Sequence, residues 1–251
     1  MSEEKIAGRF KRETANHVME IKHDDGLYRH LRFSNPKCRW AYWFDLITWP
    51  NNLVFRGDGE TFAFSRVEDM FEFFRSGLWQ DGSIHINPHY WAEKLTSDRD
   101  SVVKYDQALF ERLVKEHVAD AIRDRTAPRG ISRAIRELLE NGDITWEGGA
   151  RRELEEFEYG ETFKVSCVCG ASEVFPDAHD AALWKIRHPS TDGVHNVRRT
   201  ERVVGFTFED TYEWQLKDYH WWFLWACHGI VWGISQYDLA RAAAVQGGEV
   251  A

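Results

Sequence analysis

The run Tyr219–Ile234 contains no Asp, Glu, Lys or Arg in sixteen residues, and four of its side chains are Trp. Such a segment must leave water, into a bilayer or into a protein core. Crossing hydrocarbon takes about 20 apolar residues. This run is shorter and carries His220 and His228, so it is predicted to be a helix buried in protein. Trp214, Trp221, Trp225 and Trp232 recur at intervals of 7, 4 and 7, which puts them on one face of a helix predicted over 212–245. Aromatic residues also occupy its other faces and few Lys or Arg interleave with them, which favours core packing over a platform for stacked bases. Gly229 and Gly233 form a step at which a neighbour can approach closely.

A buried helix needs a partner layer, and the N-terminal hundred residues supply one. After a polar leader, 17–23 alternates apolar and polar residues, Asp24-Asp25-Gly26 offers a turn, and Leu27, Leu31 and Phe33 recur on one face of a second strand. The stretch 40–49 is β-rich on both faces and is placed as the central strand. Segments 53–56 and 61–65 flank Gly57-Asp58-Gly59-Glu60, whose glycines allow the positive φ of a tight turn. Ser65 and Glu68 match a capping box. A helix is predicted from there, with Val67, Met70, Phe71 and Phe74 as its apolar stripe and Gly77 as its stop.

Further along, Phe110, Leu113, Val114, His117, Ala121 and Ile122 mark a helix over 107–125 opened by Asp106. Ile131, Ile135, Leu138 and Leu139 mark another, ending at Asn141-Gly142, and Ala150, Leu154 and Phe157 a third. Between 162 and 210 the pattern reads as strand at 163–168, helix at 178–187 and strand at 203–208. The expectation is a single α+β domain over 1–251: an N-terminal antiparallel β-meander packed by helices in 1–100, and in 101–251 a mainly helical part with a small β insertion and the long Trp-rich C-terminal helix.

Composition narrows the function classes. With 41 acidic against 32 basic residues the net charge is −9, which argues against direct nucleic-acid binding as the main activity. Four cysteines at 38, 167, 169 and 227 do not make a disulfide framework. The chain begins without an apolar segment behind a basic one. A soluble protein of the cytoplasm, without membrane association, is the resulting expectation. No Walker loop, GxGxxG fingerprint, HExxH helix or GxSxG elbow occurs.

Three groupings remain as candidate sites. Asp45 lies inside the aromatic strand, where a carboxylate must be paired or have its pKa raised; alternation puts it on a face with Trp43, Ile47 and Trp49, within reach of Arg39 or Arg56. His85 and His89, beside Tyr90 and Trp91, could do acid–base work on a loop, or simply belong to a loop anchored by its aromatics. Cys167-Val168-Cys169-Gly170, followed by His179, His188 and His195, has the donor types zinc prefers, with Cys167, Cys169 and His179 the first choice of ligands. The spacing differs from paired CxxC knuckles, and a buried apolar patch accounts for the cysteines equally. Zinc is thus the one cofactor considered, against none.

The blocks Tyr42–Pro50, Gly57–Arg66, Asp69–Phe74, Ile86–Leu95 and Trp232–Asp238 resemble a family of uncharacterised proteins encoded by tailed bacteriophages and prophages. That resemblance covers the N-terminal hundred residues and the C-terminal helix, and brings no reaction, cofactor or catalytic residue with it. What it implies is a phage-encoded accessory protein in the host cytoplasm, a non-catalytic binder of a host protein or a small signalling molecule that interferes with host defence. The alternative is a motif-poor enzyme acting on nucleic acid or nucleotides, with Asp45, His85 and His89 converging on a pocket.

Overall fold

The computed structural model describes residues 3–96, 99–188 and 197–248. In chain order its first elements are α1 (Glu3–Thr14), β1 (Val18–Asp25), β2 (Tyr28–Ser34), β3 (Phe44–Trp49), β4 (Asn52–Gly57), β5 (Thr61–Ser65), α2 (Met70–Arg75) and α3 (Pro88–Ala92). There follow β6 (Val103–Tyr105), α4 (Gln107–Arg123), α5 (Ile131–Asn141), α6 (Glu147–Glu156) and β7 (Tyr159–Cys167). The last are β8 (Ser172–Phe175), α7 (Ala178–Arg187), β9 (Val197–Phe206), β10 (Lys217–Tyr219) and α8 (Trp221–Gly248). The architecture is α+β. Among the described residues no helix is long and apolar enough to cross a membrane.

Contacts divide the chain into two compact units, Met1–Lys104 with Tyr219–Ala251, and Tyr105–Asp218. The sequence reading takes α8 as the packing partner of the N-terminal sheet, and the first unit contains both.

In the first unit, β1 to β5 form an antiparallel meander in sequence order, with β3 at its centre. Alternation sends Leu31, Phe33, Phe44, Leu46, Leu53, Phe55, Phe62 and Phe64 to one face, all buried. That face is covered by α8, in which every residue from Trp222 to Val231 is buried. Ile6 and Phe10 of α1 and Phe71 and Phe74 of α2 join the same core. A Cβ on Gly233 would stand 2.8 Å from Leu46 Cδ1, and one on Gly229 3.1 Å from Phe55. The glycine step therefore lets α8 settle onto the sheet's own side chains.

Four local expectations are corrected here. Residues 3–14 are helical, not a polar leader: Ile6, Phe10 and Thr14 fall four apart on a buried stripe, with Glu3 and Glu4 in the first turn and Lys11 and Arg12 in the last. The helix expected from Ser65 begins at Met70. Its cap is Asp69, whose Oδ1 accepts from the Phe71 amide at 2.9 Å. Ser65 instead stays in the sheet, opposite Asn52 and donating its amide to Lys94 O. Neither Gly57 nor Gly59 has positive φ; Gly59 is needed because the Trp222 indole occupies the space a Cβ would take. Finally, α8 begins at Trp221, after the strand β10, so Trp214 is not on it and packs against Phe208 and His117 in the second unit.

The second unit has a core of its own. Phe110, Val114 and Val118 of α4, Ile131, Ile135 and Leu138 of α5, Ala150 and Leu154 of α6, and Phe206, Phe208 and Leu216 are buried together. Asp106 caps α4 through the amides of Ala108 and Leu109, as its position predicts. A three-stranded antiparallel sheet in the order β8-β7-β9 completes the unit, with α7 following β8.

Candidate functional site

The sheet face opposite α8 carries the first grouping. Antiparallel register sets Glu20, Arg32, Asp45, Arg56 and Thr61 side by side across all five strands. Charges therefore alternate along the row, the arrangement in which cross-strand neighbours attract. Asp45 is 1% exposed. Arg32 reaches it with two parallel bonds, Nε to Oδ1 at 2.7 Å and Nη2 to Oδ2 at 3.0 Å. Such a forked guanidinium–carboxylate pair is among the stronger polar contacts, and it raises the pKa of Arg32. Arg56 Nη1 stands 3.9 Å from Oδ2 and His30 Nε2 3.6 Å from Oδ1.

Trp43 roofs this cluster, with the Arg32 guanidinium 4.2 Å and the Arg56 guanidinium 5.5 Å from its ring centre. The partner the sequence proposed, Arg56 or Arg39, is joined and surpassed by Arg32 from the next strand. Arg39 and Lys22 lie close enough to Glu20 to help lower its pKa, the Lys22 hydrogen bond being the main cause. Trp49 and Tyr28 on the same face are 39% and 56% exposed, and the β2–β3 connection adds Trp40 at 79%. The face is thus open, with Asp45 sunk beneath its own arginines.

His85 and His89 belong elsewhere. His85 stacks on Trp79 with ring centres 3.8 Å apart, and its Nε2 lies 3.0 Å from Ser83 Oγ. His89 sits on α3, with Nδ1 3.3 Å from Tyr219 Oη and Nε2 3.9 Å from Glu93. Trp91 of α3 packs on Phe74, which packs on Phe64 of the covered sheet face, whereas Asp45 points from the opposite one. The two histidines share no partner with Asp45, and the three do not assemble an acid–base site.

The second grouping lies in the other unit. Cys167 ends β7, and the turn that follows closes through Cys167 N donating to Ala171 O at 2.8 Å and Gly170 N to Cys167 O at 3.0 Å. This turn presents Cys169 beside the end of α7. His188, the residue capping that helix, brings Nε2 to 3.3 Å from Cys169 Sγ. Cys167, Cys169 and His188 offer ligand atoms that all lie within 4.8 Å of one another. A tetrahedral zinc bonded at about 2.3 Å to sulfur and about 2.0 Å to nitrogen separates such atoms by roughly 3.5–3.8 Å, so the residues fit the ion. His179 is not part of the group. It lies in the first turn of α7, nine residues and so roughly 13 Å along the axis from His188, and is exposed. His195 lies outside the described residues.

No protein-family model, curated protein or solved structure matches this chain. The class is therefore defined by structure alone: an α+β protein with a Trp-rich helix laid on one face of a five-stranded meander, a cationic–aromatic opposite face, and a Cys–Cys–His cluster in its second unit.

Proposed function

We propose that this chain is a phage-encoded accessory protein that acts by binding a host protein, and that the open sheet face is the binding surface. The observation that carries the surface is the exposed set Trp40, Trp49, Tyr28 and Arg56 around the Trp43 cluster. Trp, Tyr and Arg are the residues that most often dominate protein interfaces. Phage origin and the host as source of the partner rest on the sequence resemblance alone.

Charge selects the kind of partner. Lys22, Arg32, Arg39 and Arg56 gather here on a chain whose net charge is −9, so an acidic protein surface is the complement. A phosphate backbone suits it less well: Arg32 is already committed to Asp45, and Glu20 and Asp45 interrupt the cations at every second strand.

The test compares the wild-type chain with Trp40→Ala/Trp49→Ala, both exposed positions, as bait in host lysate, followed by reconstitution of the recovered protein. Support is a purified complex that the double variant weakens at least tenfold while unfolding at an unchanged urea midpoint. A complex indifferent to the substitutions, or oligonucleotide binding abolished by them, refutes the reading.

A further inference from the structure

We propose that Cys167, Cys169 and His188 bind a zinc ion that pins the C-terminal end of α7 to the β7–β8 hairpin. Donor chemistry is the first support. Two thiolates and an imidazole suit zinc and other borderline-soft ions, while magnesium and calcium take oxygen. The described residues supply three of the four positions zinc occupies. None of the four cysteines is disulfide-bonded.

A second, independent support is how few described side chains this part of the chain buries. Of the described residues in 159–188 only Thr162, Val165, Cys167 and Ala181 are buried. None of them belongs to either hydrophobic cluster. All of β8 is exposed except the half-buried Phe175. Beyond the backbone pairing of β7 with β8 and β9, few described side chains of 159–188 add apolar packing, and small segments of this kind are commonly closed by a metal whose binding energy is folding energy.

The third support is orientation. Trp184, one helical turn before His188, stacks on the imidazole with ring centres 4.3 Å apart and planes at 19°. Phe175 of β8 lies 6.4 Å from Trp184 in turn. The ring that would carry the ligand nitrogen is therefore held in place by the two elements that the ion would join. Trp184 and Phe175 also line a cleft of about 690 Å³ with Leu183, Arg125 and Arg129, so the ion would fix one wall of that cleft. The proposal rests on the second unit alone and is independent of the reading of the sheet face.

The experiment uses the full chain, reduced, loaded with zinc and desalted, with metal content measured by plasma mass spectrometry and coordination read from the cobalt-substituted form. Stoichiometric zinc and a thiolate-to-cobalt charge-transfer band are expected. Cys169→Ser and His188→Gln should each lower zinc affinity at least tenfold, and Cys38→Ser should leave it unchanged. Should a ligand variant not fold, chelation of the wild-type chain decides: hydrogen-exchange protection in 159–188 is expected to fall at least tenfold and to return with zinc. Absence of bound zinc, a cobalt spectrum without sulfur character, Cys169→Ser retaining wild-type affinity, or protection indifferent to chelation overturns the proposal.

Discussion

Asp45 is all but removed from solvent while two guanidinium groups, Arg32 and Arg56, and the His30 imidazole stand within 4 Å of it. Taking away one partner of such a pair leaves a buried charge without its counter-charge, which costs about 3–5 kcal/mol. Because Arg56 remains, Arg32→Ala should fall at the lower end, about 3 kcal/mol in urea unfolding, and Arg32→Leu/Asp45→Leu should recover most of the loss. Equal destabilisation by the single and double variants would refute the pairing.

His228 gives a second prediction at this scale. It is 3% exposed in the core of α8, stacked on Phe10, and burial lowers its pKa from 6.5 to about 4. The unfolded chain takes up a proton below 6.5 that the folded chain refuses until about 4. Stability is therefore full above pH 6.5 and declines as pH falls toward 4, by about 2 kcal/mol at pH 5 from this group. Burial lowers the pKa of His17 and His220 in the same direction. Urea midpoints at pH 7.5 and 5.0 check this, and His228→Leu should flatten the profile. At the residue scale the sequence showed that Asp45 needed a cation. It did not show which one, because Arg32 is brought opposite by cross-strand register, which local pattern does not contain.

Among the elements, α8 depends most on a single small side chain. Alanine at Gly233 gains about 1 kcal/mol of helix propensity, but its Cβ would meet Leu46 at 2.8 Å and Phe33 at 3.1 Å. Overpacking a close-packed core costs typically 1–3 kcal/mol. Gly233→Ala should thus be net destabilising by roughly 1 kcal/mol, seen as a lower urea midpoint, whereas Leu239→Ala at an exposed position of the same helix should change it little. Elements whose ends carry their own signals were legible, as with α4 behind Asp106, α5 ending at Gly142 and α7 over 178–187. The start of α2 was not, because two capping signals lie four residues apart and the sheet's hydrogen bonds claim Ser65. The helix α1 was missed because its apolar stripe is only Ile6 and Phe10, a weak signal until a core exists to receive it.

For the molecule as a whole, the second unit interrupts the first. Where the first unit's chain leaves and returns, Val102 O accepts from the His220 amide at 2.8 Å. The gap left by removing 105–218 can therefore be closed by a short Gly/Ser linker. Since Phe44, Phe55, Trp225 and their neighbours form a core without the second unit, the joined protein is expected to unfold cooperatively in urea with native near-ultraviolet dichroism. A molten spectrum would show that the units are not separable. What the sequence determined by itself is what periodicity and end signals encode locally: a meander, helices of given length, and a helix that must be buried. What only the tertiary structure decided is which distant residues meet. That Asp45 pairs with Arg32 on an open face, and that His188 joins Cys167 and Cys169 in place of His179, both follow from side chains brought together by packing across the fold. Chain closure and strand register, not local preference, choose those partners.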